Sequence, residues 1–368
     1  MREVRKLTFN NSQPKFYIDG HEIFPAIINL IRSAKKTLYI ETFIFHFDET
    51  GKKVAKEIID KKNEGVEVKV IIDSIGLMFR SGDYEIVNYL MANQVDVLVY
   101  NKYLISTDGV NITHRKMIIV DGERAIVGGA NFGEEYENTW HDTMTELEGE
   151  IVQEIQDEFF YGWHLSGGII PENKIKLPQG KKYGHIPMKV TFTDGTADNK
   201  LNDFEKFLIS CIFMAEHKIK IANPYFSDIN IVNALIEAKN RDVEIDIVIP
   251  KENDTLFFSA LNFGTAKKLV DNEINVHFYN ERFSHTKAYI IDDIVIVGSS
   301  NLDPRSLKEN QELSVIIYNH DFMTELEERL FNKDIKNSEL QTLETLKLDS
   351  TQDVLLKTLD IIDYYFYF

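Results

Sequence analysis

Basic residues are in short supply: 41 Lys and Arg stand against 59 Asp and Glu, a formal net charge of −18. A field of that sign disfavours non-specific binding to nucleic acid, and it disfavours simple electrostatic adhesion to an anionic bilayer unless a local patch overrides the total. Cysteine is nearly absent. The single copy, Cys211, lies in the apolar run 207–215. It has no partner for an intramolecular disulfide and reads as a core residue, so nothing calls for an oxidising compartment. No stretch approaches the roughly 20 apolar residues that span a bilayer, and the first twenty residues lack the apolar segment of a secretory signal. The expectation is a soluble or peripheral protein, cytoplasmic or on the cytoplasmic face of the membrane.

What the chain does have is repetition. Its 368 residues suffice for two domains or two fused halves. The stretch from Ala34 to Phe45 parallels the stretch from Ala215 to Phe226, each reading as the end of a helix followed by a strand. A helix and strand ending at 64–73 match another pair ending at 241–250; a third pair, 83–99, matches about 257–279. Strands alternating with helices of this length argue for α/β layers. Both halves close on an apolar helical stripe, Ile151, Ile155, Phe159, Phe160 and Trp163 in one, Met323, Leu326, Leu330 and Phe331 in the other, and both stripes are expected in the core. The organisation expected is a first half over 1–165, a connector over 166–188 and a second half over 189–368. The connector, rich in Gly and Pro, carries Lys174, Lys176, Lys181 and Lys182 against Glu172 and reads as a solvated linker, with a membrane-facing loop as the minority reading. The acidic segment 325–344 reads as a solvated helix face. The tail 360–368 is strongly aromatic, which suits a membrane interface and a packed closing element equally.

At matching points of the halves stands a pattern His-x-Lys-x4-Asp: His114, Lys116 and Asp121, then His285, Lys287 and Asp292. Each is followed by Gly-x-x-Asn, ending at Asn131 and Asn301. The residues after each Lys are apolar and β-branched, so a strand is expected, and on a strand His and Lys two positions apart share a face. The Asp, seven positions on, points the other way and reads as a support. One imidazole can attack, a second can donate a proton, and two Lys can neutralise a phosphate. The set therefore describes a phosphodiester site. Between Asp121 and Gly128 lie six residues, between Asp292 and Gly298 five. The missing residue has to be absorbed in the turn if Asn301 is to keep its face.

These motifs resemble the two signatures of the phospholipase D superfamily, and the phrases around them, Thr113 to Phe132 and Ser284 to Ser306, are most similar to its bacterial cardiolipin synthase branch. The similarity extends from about residue 22 to about 336. It implies an α/β fold of two related halves, each a mostly β sheet sandwiched by helices, related by a pseudo-twofold axis with one shared active site. It implies a phosphohistidine intermediate with no metal and no cofactor, His114 as nucleophile, His285 as general acid and then base, and Lys116, Lys287, Asn131 and Asn301 on the phosphate. Asp142 and Glu312, each eleven residues after its motif Asn, are implied to hold the His of their own half.

Phe43, Phe45 and Phe47, with Pro224, Tyr225 and Phe226, are candidate walls of a lipid pocket, half of them core because strand residues alternate faces. The loop 76–82 adds apolar bulk. The leading expectation is phosphatidyl transfer between phospholipids such as phosphatidylglycerol, at a membrane surface. Alternatives are a hydrolytic phospholipase D, a nuclease, which the acidic composition opposes, a tyrosyl-DNA phosphodiesterase, which usually lacks the motif Asp, and a non-enzymatic membrane scaffold, which has no need of both motifs. With both motifs on one chain, no oligomer is required to complete the site.

Overall fold

The β-branched runs become strands and the apolar stripes become helices in the computed structural model, which describes residues 5–80, 82–101, 111–196 and 201–346. These fall into two compact units. The first comprises the described residues up to 191 together with 297–299 and 311–318. The second comprises 192–296, 300–310 and the described residues from 319 onward. The aromatic tail 360–368 lies outside the described residues.

The first unit contains β1 (Lys15–Ile18), β2 (Thr37–Thr42), β3 (Glu67–Asp73), β4 (Asp96–Tyr100), β5 (Met117–Val120), β6 (Arg124–Gly128) and β7 (Thr143–Glu148). They form one sheet in the order β1-β7-β6-β5-β2-β3-β4. Strands β2, β3 and β4 are parallel and the other pairings antiparallel. Its helices are α1 (Asp19–Ser33), α2 (Glu49–Asn63), α3 (Tyr84–Ala92), α4 (Glu134–Asn138) and α5 (Ile151–Leu165). Alternation along the strands assigns the two faces. Leu38, Ile40, Val68, Val70, Ile118 and Val120 form one core with Ile23, Ile27, Ile58 and Leu90 of the first three helices. Tyr39 points the other way and meets Phe159 and Phe160 of α5, each at 5.1 Å between ring centroids. Sandwiching by helices follows from strands that are apolar on both faces.

Along the rest of the chain come β8 (Met188–Asp194), β9 (Leu201–Asn202), α6 (Asp203–Met214), β10 (Lys218–Ala222), α7 (Ile229–Lys239), β11 (Glu244–Pro250), α8 (Leu256–Val270), β12 (Asn275–Tyr279), β13 (Ala288–Ile291), β14 (Ile294–Gly298), α9 (Pro304–Lys308), β15 (Glu312–Tyr318), α10 (His320–Leu326), α11 (Asn332–Lys336) and β16 (Ser338–Leu340). In the second unit the strand order β16-β12-β11-β10-β13 repeats the scheme, with β10, β11 and β12 parallel and β13 antiparallel to β10. Phe204 of α6 packs on Tyr289 of β13. On another strand face Lys220, Asp246 and His277 form an ionic cluster closed by Glu327, in the π-helical turn after α10.

Both closing stripes are buried as expected. Cys211 is buried too, and burial pushes its thiol up to about 11. The connector has no helix or strand before Met188, and two of its lysines are engaged, Lys174 with Asp157 at 2.8 Å and Lys181 with Glu123. The missing motif residue is indeed taken up in the turn, which is Asp121-Gly122-Glu123 in one hairpin and Asp292-Asp293 in the other. Asp121, Gly122 and Asp292 carry φ of 53°, 66° and 49°, a region that Asp and Gly tolerate. Among the described residues no helix is long and apolar enough to cross a membrane.

Candidate active site

His114 and Lys116 occupy the last positions before β5, where the chain runs beside residues near the start of β15. His114 N–H donates to the Gln311 carbonyl at 2.9 Å, and Gln311 N–H donates to the Ile112 carbonyl at 2.8 Å. That bridge carries Glu312 to the imidazole, whose Nδ1 lies 3.0 and 3.2 Å from the two carboxylate oxygens. Both side chains are buried. Burial alone would raise the Glu312 pKa. The charges of His114 and Lys116, with hydrogen bonds from His114 and the Ser299 hydroxyl, outweigh it and hold the carboxyl below its ordinary value. The result is an ionised carboxylate that fixes the imidazole tautomer and stabilises positive charge on it.

A wall and a rear network complete this half. The Phe43 ring stands edge-on to the imidazole at 5.3 Å, with the Lys116 ammonium 5.5 Å from its centroid. Lys116 Nζ also donates to the His114 carbonyl at 2.6 Å. Behind them, Thr113 N–H donates to Asp73 at 2.8 Å and the Thr113 hydroxyl donates to Glu41. Arg115, whose side chain points away from its neighbours, reaches Glu41 at 2.9 and 3.0 Å and Gln311 at 2.7 Å. Complete burial pushes the Glu41 carboxyl up against the pull of Arg115 and Thr113. Burial likewise raises Asp73, to about 7, although backbone amides donate to it.

In the second unit Lys287 Nζ lies 3.1 and 3.0 Å from the two ring nitrogens of His285 and donates to the His285 carbonyl at 2.8 Å. Phe283 and Tyr225 flank the imidazole at 5.9 and 6.2 Å, and the Tyr225 hydroxyl donates to Asp254. The wall expectation holds for some of these residues and not for others. Phe43 and Tyr225 meet a histidine, whereas Phe45 and Phe226 are wholly buried. Among the described residues no group of three or more His, Cys, Asp or Glu is placed to hold a metal ion.

The motif aspartates sit at the far ends of their strands from the histidines. Asp121 accepts from the amides of Lys35, Lys36 and Thr37, and Asp292 from those of Glu216, His217 and Lys218. Each pins the loop that opens β2 or β10. Asn131 is held by Thr42, the Ile44 amide and the Tyr136 hydroxyl. Asn301 is buried with its side-chain oxygen unpaired.

Similarity to known proteins identifies the family. The family described as cardiolipin synthase, PLD-like domain, matches residues 27–163 and 208–335. The chain belongs to that family. It is 31% identical over 355 residues to cardiolipin synthase 1 of Staphylococcus epidermidis, covering 93% of this chain and 71% of that one. It is 30% identical over 335 residues to cardiolipin synthase A of Pseudomonas syringae pv. syringae, covering 87% and 68%. Among solved structures, phosphatidylserine synthase of Haemophilus influenzae Rd KW20 superposes with a TM-score of 0.73 at 17% identity, over 98% of this chain and 96% of that one, which speaks to the fold.

Within this family fold, one expectation is corrected. Glu312 was expected to hold His285, the histidine of its own half of the sequence, and Asp142 to hold His114; instead Glu312 holds His114. The reason is the backbone bridge between Thr113 and Gln311. Equal spacing shows that the two acids are equivalent, but not which imidazole each strand end approaches. Asp142 is fully buried and accepts from the Thr143 amide at 2.7 Å.

His46 carries no motif that marks it in the sequence. This buried imidazole bonds Asp83 at 2.6 Å through Nδ1 and Glu135 at 2.9 Å through Nε2, and Arg80 joins Asp48 to Glu135. Burial would lower the His46 pKa, but Glu135 and Asp83 outweigh it and hold it above the ordinary value. Its stabilisation is thus full below about pH 6.5 and is lost as pH rises through the raised value. Thermal unfolding should accordingly separate wild type from His46→Gln most widely near pH 6 and less as pH approaches about 9. A gap that stays constant over that range would show that His46 does not change its charge within it.

Proposed function

We propose that this protein transfers a phosphatidyl group from one phospholipid to the hydroxyl of another, the cardiolipin synthase reaction, with phosphatidylglycerol or a close relative as donor and acceptor. The chain is an enzyme of the phospholipase D phosphatidyltransferase type by family and by relatives. The observation that supports these roles is the Glu312 contact: with a carboxylate on Nδ1, the free lone pair of His114 is left on Nε2.

In this reading Nε2 of His114 attacks the donor phosphorus. The bond from phosphorus to the departing glycerol oxygen breaks as His285 gives that oxygen a proton, leaving phosphatidyl-His114. His285, now neutral, takes the proton from a hydroxyl of the second phosphatidylglycerol, whose oxygen attacks phosphorus and releases His114. Lys116 and Lys287 neutralise the charge that grows on the phosphate oxygens in both steps. The unpaired end of the Asn301 amide adds a donor there, since oxygen and nitrogen of such an amide exchange by a simple flip. Asn131 supports the strand exit that carries Phe43. Water in place of the second alcohol makes the product phosphatidic acid.

Purified protein incubated with phosphatidylglycerol vesicles in excess chelator should yield cardiolipin and free glycerol, identified by mass spectrometry. Phosphatidic acid as the main product would instead make it a hydrolase, and activity that appears only on adding a metal ion would overturn the mechanism.

A further inference from the structure

Apolar side chains are exposed where the chain turns out of β3. The turn Gly76–Met78 places Met78 and Phe79 in solvent, with relative exposures of 65% and 62%. Tyr84, at the start of α3, is exposed as well. The turn is anchored rather than loose. A side chain at Gly76 would collide with the Phe43 carbonyl, so the backbone lies directly on the strand exit. On its other side Asp83 is locked to His46, and Arg80 is drawn back onto Asp48 and Glu135. The one cation of the turn is therefore neutralised, and the tip presents carbon. Phe79 stands edge-on to Phe43 at 5.8 Å, and Phe43 edge-on to His114 at 5.3 Å. An unbroken row of rings thus leads from the exposed tip to the proposed nucleophile.

We propose that the turn Gly76–Arg80 inserts Met78 and Phe79 into the surface of a phospholipid bilayer and so brings lipid phosphates to His114. This rests on the lipid-transfer reading above. A bilayer is the occupant that fits. Two side chains offer roughly 300 Å² of apolar surface, far below the roughly 800 Å² per partner of a stable protein interface. A net charge of −18 leaves electrostatic attraction to anionic lipid a poor means of attachment, whereas apolar insertion at an uncharged tip needs no positive field.

The test uses the buried state of Cys211, which lets an introduced surface cysteine be labelled selectively. Met78→Cys carrying an environment-sensitive fluorophore is prepared in a His114→Ala background, so that binding is read without turnover, with Asn63→Cys at the end of α2 as control. On phosphatidylglycerol vesicles the label at 78 should shift to the blue and the label at 63 should not. Met78→Asp with Phe79→Asp should lower the vesicle-bound fraction at least about tenfold. Vesicle binding with both labels still in water would overturn the proposal, as would a shift at 78 that follows protein concentration without vesicles, which would mean self-association. Wild-type turnover of vesicle lipid without a shift at 78 sinks the docking surface alone; a shift at 78 with no turnover sinks the transferase reading and leaves the docking surface standing.

Discussion

Replacing Glu312 with Gln should lower kcat by about a thousandfold while the protein still folds. The amide fits the same space, but it removes the charge that stabilises positive charge on His114 and can favour the wrong imidazole tautomer; a comparable change in a Ser-His-Asp triad costs about 10⁴ in kcat. The loss should fall on kcat more than on KM, because the carboxylate touches the imidazole and not the lipid. Glu312→Asp should recover part of the rate, which a purely structural role does not predict. Ser299→Ala, removing one hydrogen bond to the same carboxylate, should cost nearer tenfold. Near-wild-type turnover in Glu312→Gln would sever the pairing from catalysis.

The His114→Ala variant should lose activity by about a millionfold, the scale seen when a nucleophile is deleted elsewhere. The more informative form of the experiment looks for the adduct itself. His285→Ala, given a phosphatidyl donor whose leaving group needs no proton, should accumulate phosphatidyl-His114, found by mass spectrometry on the peptide spanning Thr113 to Val120 after quenching in base. An adduct on the His285 peptide, in protein carrying His114→Ala, would exchange the two roles.

Much of this protein is readable in its sequence because its signals are local. The strands after each Lys, the closing stripes and the shortened second turn all follow from period and spacing. Arg115 was legible in principle: it lies between two site residues on a strand approach, so its side chain goes to the opposite, buried side and demands a carboxylate there. Glu41, the acid in a wholly buried strand, is the complementary signal. The exchange of Glu312 was not legible, because it depends on a bridge between Thr113 and Gln311 across nearly two hundred residues, and spacing within a half carries no information about such a contact. His46 was hidden for a related reason, since its partners come from separate elements, Asp83 just before α3 and Glu135 in α4.

The bridge at Gln311 also bears on how the enzyme comes into being. The proposed nucleophile and the acid that activates it are 198 residues apart in the chain, and the strand that carries the acid closes the first unit only after most of the second has been made. A growing polypeptide therefore holds His114 without this partner until Glu312 has been made. A gene encoding a single repeat could reach the same end only by lending this strand to a sister copy. Fusion of two repeats makes that loan permanent within one molecule.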